Sequence, residues 1–208
     1  MKKLLSFVIL FAGLMLAGMQ VAAANDDDPV SMLQSLADQM IANLKTNKAT
    51  LKTNPTLVYS LARKIVVPHA DLAEMSKRVL PPQTWNSATE SQRSRFENEF
   101  TTLLVRTYAS ALADYTDQTV EFHPVRGGIV GKKTVRVDSQ IIRSDGAPIN
   151  VSYRLIRQGS AWLLYDMTVE GVSLIESFRS QFADKVSQGS DMAGLIQYIS
   201  NHNAQNGG

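Results

Sequence analysis

The sequence predicts an α+β fold in which a curved antiparallel sheet of about four strands packs against several long helices. Three observations carry this prediction. Apolar residues recur every three or four positions over most of the chain up to residue 115, which is the spacing of one helix face. From residue 119 to residue 169 the period changes to two, as it does in half-buried strands. Helical spacing returns after Gly171, so helices stand on both sides of the sheet in the sequence.

The first 24 residues are expected to be a cleaved signal peptide. Lys2 and Lys3 precede an uncharged, largely apolar run at residues 4–16, and residues 21–24 offer small side chains for cleavage after Ala24. The run is short for a membrane span, which leaves a retained anchor as the less favoured alternative. The chain has no cysteine, so disulfides and a lipid-modified cysteine are both excluded. Together these features predict an exported, soluble protein of the periplasm.

Several helices are predicted ahead of the longest one. The first follows the cap Asp28-Pro29 and continues to about Lys45, while residues 46–53 are polar and are expected to form a loop. A second helix covers residues 54–68, where a proline ends or kinks it. A short helix over residues 69–80 follows and is closed by two prolines.

The longest helix is predicted from about Ser87 to about residue 115. Two capping boxes can begin it, one pairing Ser87 with Glu90 and the other pairing Thr89 with Gln92. At about 1.5 Å per residue it is roughly 40 Å long, which is long for a domain of this size. Its apolar face contains Phe96, Phe100, Leu103, Leu104, Tyr108, Ala111, Leu112 and Tyr115.

Strands are predicted where turn signals separate runs of alternating apolar residues. The turns contain Gly127-Gly128, residues 144–148 and residues 158–160. The last strand is expected to run through Glu170-Gly171 directly into an amphipathic helix that Ser173 caps. The strands are predicted at residues 119–125, 135–141, 149–155 and 161–169.

The end of the chain is predicted to be helical and then disordered. Helices are expected at residues 172–186 and 192–200, and the polar tail at residues 202–208 is expected to be disordered. No repeat or low-complexity tract divides the chain. Residues 25–201 are therefore expected to fold as a single α+β domain.

The charge pattern argues against a nucleic-acid partner. The 21 basic residues exceed the 19 acidic ones only because of Lys2 and Lys3, which fall in the leader. No run of Lys and Arg with interleaved aromatic residues is present. The charges are scattered as on a solvated surface.

Residues for catalysis or metal binding are sparse. His69, His123 and His202 lack the spacing of a metal pair, and no nucleophile elbow or phosphate-binding glycine loop is present. Asp166 and Glu170 are four positions apart, on one face of a strand, and paired carboxylates can do acid–base work, so a hydrolase is one alternative. An acidic residue beside glycine at a strand end is more often a cap or an ion-pair partner. The structural interpretation is therefore favoured, with both residues bracing the turn.

Apolar surface is more abundant than catalytic groups. The long helix, the inward face of the sheet and the helix after Gly171 all carry medium and large hydrophobic residues. A sheet packed over helices of about 30 Å could form the walls of a slot. A slot roughly 15 Å deep would hold the length of one acyl tail. The alternative is that these residues fill an ordinary core and that the protein is a structural or adaptor protein with binding only at its surface.

One stretch resembles a known family. Residues 162–173 match the pattern W-x-x-Y-D-M-x-x-E-G-V-S, beginning at Trp162 and ending at Val172-Ser173. This pattern is similar to that of the MlaC-type periplasmic phospholipid carriers, the toluene-tolerance auxiliary component family. Residues 87–93 resemble the start of that family's long helix, and Asn54-Pro55 occupies a similar place before it. The resemblance extends in order over the chain up to Asn201.

The resemblance implies a function and a set of partners. It implies a monomeric, non-enzymatic carrier that binds phospholipid in an apolar pocket enclosed by the sheet and helices, with no cofactor or metal. The carrier would move lipid between an outer-membrane lipoprotein–porin complex and an inner-membrane ABC transporter complex, which maintains the lipid asymmetry of the outer membrane. Val172 of the matched stretch is implied as a residue that lines the pocket. Facing geometry adds Met167, Val169, Ile175, Tyr108, Leu112, Val137, Val151, Tyr153 and Leu155 to the predicted lining.

Overall fold

The computed structural model describes residues 28–54, 56–113, 118–144 and 146–205, except for the side chains of residues 52 and 109–113. Within these ranges the chain forms helices, then a five-stranded antiparallel sheet, then two more helices. The predicted α+β class is therefore confirmed. The predicted signal peptide lies outside the described residues and stays a prediction, as do the domain limits.

The helices before the sheet follow the predicted order with two corrections. Residues 48–53 are helical and not a loop, because Leu51 is buried against the neighbouring helices. Pro82 begins a further short helix instead of only closing the previous one. Proline is tolerated in the first turn of a helix because a backbone N–H at that position would have no intrahelical partner, so its absence costs nothing. The helices are α1 Pro29–Thr46, α2 Lys48–Thr53, α3 Leu57–Ile65, α4 Leu72–Val79, α5 Pro82–Ser87 and α6 Glu90–Ala113, with a 3-10 turn at Val67–His69.

The long helix α6 uses the second of the two predicted capping boxes. The Thr89 backbone N–H donates to Gln92 Oε1 at 2.9 Å, and the Gln92 N–H donates to Thr89 Oγ1 at 3.2 Å. Two donors at the start of the helix are thereby satisfied by one pair of residues. The expected extension of the helix over residues 114 and 115 lies outside the described residues.

The five strands pair in sequence order, each antiparallel to the next. Apolar residues alternate with polar ones, so one face of the sheet packs on the helices; we call it the inner face. The pairing register shifts between Arg154 and Leu155 of the third strand, and Tyr165 of the fourth strand is left unpaired. Tyr165 is therefore the extra residue of a β-bulge. The strands are β1 Thr119–Phe122, β2 Thr134–Ile142, β3 Ile149–Gln158, β4 Ala161–Val169 and β5 Val172–Ser173.

The corner at Glu170-Gly171 is a hairpin, which corrects the expectation that β4 runs directly into a helix. Val172 and Ser173 fold back to pair with Val169 and Thr168 as strand β5. Both turn residues have positive φ, 47° at Glu170 and 83° at Gly171, as two-residue hairpin turns often require. Only after this reversal does α7 begin.

Two helices, α7 Leu174–Ser187 and α8 Met192–Gln205, complete the described chain. Ser173 caps α7 as predicted, because its side chain accepts a hydrogen bond from the Glu176 N–H at 3.2 Å. The expected tail is corrected in part, since residues 202–205 are helical. Asn203 is buried and donates to the Glu99 carboxylate at 2.8 Å, which fixes the end of α8 to α6.

The buried apolar residues form two clusters. The first joins α1, α2 and α3 to the inner face of the sheet through Val135, Val137, Leu155 and Trp162. The second joins α4, α6, α7 and α8 around the packed rings of Phe96, Phe100, Phe178 and Phe182. No helix of the described residues is both long and apolar enough to cross a bilayer.

Candidate functional site

The inner face of the sheet carries five of the ten predicted lining residues in two cross-strand rows. One row runs from Val137 on β2 to Tyr153 on β3 and Met167 on β4. The neighbouring row contains Val151 on β3 and Val169 on β4. Because alternate residues of a strand face the same side, these five side chains share one surface.

This surface joins the two hydrophobic clusters. Val137 and Leu155 are buried in the first cluster, and Tyr153 packs against it. Ile175 is buried in the second cluster, and Tyr108 and Met167 pack against that one. The row from Val137 to Met167 therefore crosses from one cluster to the other.

Burial changes sharply along this surface. Val137 and Leu155 have no exposed area, and Val151 is 3% exposed. Tyr153 and Met167, which lie between the two clusters, are only half-buried, as are Val169 and Tyr108. We call these four half-buried side chains the seam. They present apolar and aromatic area that the protein itself does not cover.

Two further predicted lining residues are not counted in the seam. Val172 is 64% exposed at the hairpin, where it pairs with Val169. The side chain of Leu112 lies outside the described residues. Their assignment to the lining, like that of the other residues, stays a prediction.

The two tyrosines of the seam present neutral hydroxyl groups. Burial raises the pKa of Tyr153, although the hydrogen bond from Ser139 Oγ to its hydroxyl at 3.4 Å opposes the rise. Burial, and then the negative charge of Asp166, raise the pKa of Tyr108. Both phenols therefore stay protonated at neutral pH, so the seam carries no charge from them.

Asp166 braces the hairpin onto α7. Its carboxylate is 2% exposed and accepts hydrogen bonds from Ser173 Oγ at 2.9 and 3.0 Å and from the Ile175 N–H at 3.1 Å. Arg154 approaches it to 3.7 Å. These bonds satisfy donors at the start of α7, where a negative charge is also favourable.

Glu170 braces the same hairpin onto β3. The Asn150 N–H donates to Glu170 Oε1 at 2.5 Å, and the Glu170 N–H donates to the Asn150 carbonyl at 3.0 Å. Each of the two carboxylates suggested for acid–base chemistry thus accepts a backbone hydrogen bond. Among the described residues, no group of three or more His, Asp and Glu could hold a metal ion.

Tyr165 is a residue that sequence reasoning missed. It is the extra residue of the β-bulge, is half-buried against the second cluster and lies under the guanidinium of Arg78 at 4.5 Å. The signal was present, because Leu163, Leu164 and Tyr165 interrupt the strict alternation of the strand. A bulge beside a site re-aims the side chains around it.

The chain is similar to a toluene tolerance protein and to a binding protein of a phospholipid transport system. A family model described as "MlaC protein" matches residues 34–201. The toluene tolerance protein ttg2D of Pseudomonas putida is 28% identical over 179 residues, which cover 86% of this chain and 82% of that protein. The intermembrane phospholipid transport system binding protein MlaC of Haemophilus influenzae is 25% identical over 157 residues, covering 74% of this chain and 72% of that protein.

A solved structure extends the similarity to the fold. The phospholipid-binding protein from Ralstonia solanacearum, solved in complex with a phospholipid, superposes with a TM-score of 0.79 and is 30% identical. The match covers 87% of this chain and 99% of that one. The family model spans most of the chain, the solved relative shares its fold, and the resemblance noted at residues 162–173 is confirmed. The chain belongs to the MlaC family.

Proposed function

We propose that this protein is a phospholipid carrier that holds acyl tails against the seam, which combines three side chains of the inner sheet face with Tyr108 of α6. The observation that carries the proposal is the fold shared with a protein solved in complex with a phospholipid, at 30% identity over 87% of this chain. The half-buried side chains of the seam supply the apolar contact area that such a ligand needs.

The energetics favour handover between proteins over release into water. Burial of one methylene group contributes about 0.8 kcal/mol, so the roughly 30 methylenes of a two-tailed lipid represent about 25 kcal/mol before the costs of binding. Escape of such a lipid into water is very slow. Release therefore requires an acceptor that opens or bridges the binding site.

This requirement fits a shuttle between two membranes. We propose that the protein acts as a monomer in the periplasm after signal-peptide cleavage near Ala24, and that it exchanges lipid with an outer-membrane lipoprotein–porin complex and an inner-membrane ABC transporter complex. Its activity would maintain the lipid asymmetry of the outer membrane. The relative from Haemophilus influenzae, named as the binding protein of an intermembrane phospholipid transport system, supports this role. We propose no catalytic step, because Asp166 and Glu170 each brace the hairpin.

The binding site is tested by placing a carboxylate on the seam. Met167→Glu puts a charge on the inner face at the β4 end of the row. Burial of an unpaired carboxylate against acyl tails is costly there. Thr168→Glu is the matched control, because it makes the same change on the adjacent residue, whose side chain points to the opposite face. Val172→Glu tests the residue implied by the family pattern.

The measurement is phospholipid extracted per protein after gentle purification. We expect wild type and Thr168→Glu to retain lipid, and Met167→Glu and Val172→Glu to lose most of it. Thermal unfolding of each variant shows that the fold is kept. Undiminished lipid in the folded Met167→Glu protein would contradict the seam as the binding site. Absence of lipid from wild type would favour the adaptor alternative.

A further inference from the structure

The loop between β1 and β2 ends in an apolar tip. Val130 is 95% exposed, the largest exposed fraction of any large hydrophobic residue in the described part of the chain. The preceding Ile129 packs against the first cluster together with Val125. The Gly128 N–H donates to the Val125 carbonyl at 3.1 Å, and the Lys132 N–H donates to the Ile129 carbonyl at 3.2 Å. The loop is therefore anchored, and its turns hold Val130 outward.

Basic residues surround this tip. Residues 123–133 contain Arg126, Lys132 and Lys133 and no acidic residue. Lys132 Nζ donates to the Arg126 carbonyl at 3.1 Å, which draws the lysine across the loop. Neither lysine forms an ion pair with a carboxylate in the part of the chain that the structure describes. Lys133 is exposed and Lys132 is partly exposed, so both can present their charge to an external partner.

Arg126 differs from the lysines because it faces an acidic residue on the sheet. Burial raises the pKa of Asp138, but hydrogen bonds from Ser152 and Arg136, with the charges of Arg136 and Arg126, lower it below its usual value. Part of the Arg126 charge is therefore balanced within the protein. The lysines carry the net positive charge of the loop.

The loop and the Val172 hairpin occupy opposite ends of the sheet. Because successive strands are antiparallel, the β1–β2 loop shares its end with the β3–β4 turn, and the Arg157 N–H donates to the Lys133 carbonyl at 2.9 Å. The β4–β5 hairpin lies at the other end, where Glu170 is exposed beside Val172. A partner bound to the loop leaves the Val172 hairpin uncovered.

We propose that the β1–β2 loop binds the surface of an anionic phospholipid bilayer, with Val130 in the interfacial region and the two lysines against lipid phosphates. Basic residues beside an anionic leaflet, combined with an apolar side chain that enters the boundary, are the two elements of reversible surface attachment. A protein partner fits less well, because a stable protein interface needs about 800 Å² on each side and commonly an aromatic or arginine anchor. One convex valine suits a deformable bilayer.

The contact between the loop and the bilayer is expected to be weak. Each lysine near an anionic surface strengthens binding about fivefold, and burial of one valine side chain contributes on the order of tenfold. Binding of this size holds a carrier briefly and lets it leave. The inference concerns the surface of the protein and does not depend on its binding lipid in the seam.

Vesicle sedimentation tests the proposal with the protein in its natural processed form. Wild type is mixed with vesicles of phosphatidylcholine alone or of phosphatidylcholine with phosphatidylglycerol. The variants are Lys132→Gln with Lys133→Gln, and Val130→Ser. The charge-matched control is Lys64→Gln with Lys77→Gln, two exposed lysines on α3 and α4.

We expect wild type and the control to bind the anionic vesicles, more weakly as salt is raised, and to bind phosphatidylcholine vesicles much less. The double lysine variant should lose about 25-fold in partitioning and Val130→Ser roughly tenfold, given the per-residue contributions. Equal binding of the loop variants and the control would overturn the proposal. Failure of wild type to bind anionic vesicles would also overturn it and would leave an acidic protein surface as the partner of the loop.

Discussion

Replacement of Asp166 by alanine should destabilise the protein more than the same replacement at a nearby exposed acidic residue. The buried carboxylate accepts from the Ile175 N–H at 3.1 Å and from Ser173 Oγ at 2.9 and 3.0 Å. Alanine removes both acceptors. The Ile175 N–H is then left without a partner beside the first turn of α7, while the Ser173 hydroxyl can rotate.

The magnitude follows from these bonds. A buried donor left unsatisfied costs about 1–3 kcal/mol, and a hydrogen bond to a charged group contributes about 1.5–3 kcal/mol. Removal of the carboxylate also removes the cost of burying a charge that Arg154 approaches only to 3.7 Å. We therefore expect Asp166→Ala to lower the free energy of unfolding by about 2–4 kcal/mol, and Asp166→Asn, which keeps one acceptor oxygen, to lower it by about half as much.

The assay is urea unfolding followed by circular dichroism, with Asp184→Ala as the control. Asp184 is exposed on the same helix, so its replacement should change stability by no more than about 0.5 kcal/mol. A loss for Asp166→Ala as small as that of Asp184→Ala would refute the bracing role. The hydrolase alternative makes a different forecast, in which Asp166→Asn abolishes turnover and leaves stability unchanged.

Three further substitutions test the backbone and the electrostatics. Gly171→Ala should destabilise the protein by about 1 kcal/mol, because φ is 83° there and an L-residue is strained in that region. Gly194→Ala should instead stabilise it by up to about 1 kcal/mol, since Gly194 is helical and an added Cβ meets its neighbours at no less than 3.4 Å; thermal unfolding of both variants checks the opposite signs. Burial, and then the charge of Asp71, raise the pKa of Glu97, so its ionised form is disfavoured in the folded state. The protein therefore loses stability as pH rises from the unfolded pKa of Glu97 to its raised folded pKa, and the loss is constant above that. Glu97→Gln should raise the melting temperature at pH 7 but not at pH 3. An equal shift at both pH values would contradict this assignment.

The order of the main helices and strands was predictable because the apolar period differs between a helix and a strand. The change of apolar period near residue 119 separates helices from strands, and Ser173 caps α7 as its position predicts. The hairpin at Glu170 was missed because β5 is two residues long and exists only through its pairing with β4. Helix α2 was missed because Leu51 is the one apolar residue that is buried among its described side chains, which leaves no apolar periodicity to detect.

The candidate site was less predictable because it depends on how two clusters meet. Alternation identified the residues of the inner face, including Val137 and Tyr153. It could not distinguish the fully buried Val137 from the half-buried Tyr153, since that difference is set by helices distant in sequence. Nor could it find the exposed Val130, whose direction is fixed by the turns of its loop.

The central claim, that this protein carries phospholipid, is tested most directly by native mass spectrometry of the wild-type protein after gentle purification. We predict a dominant species whose mass exceeds that of the polypeptide by one or more phospholipids, and release of those lipids on denaturation. A protein that has the polypeptide mass alone, and that takes up no phospholipid when incubated with vesicles, would contradict the account.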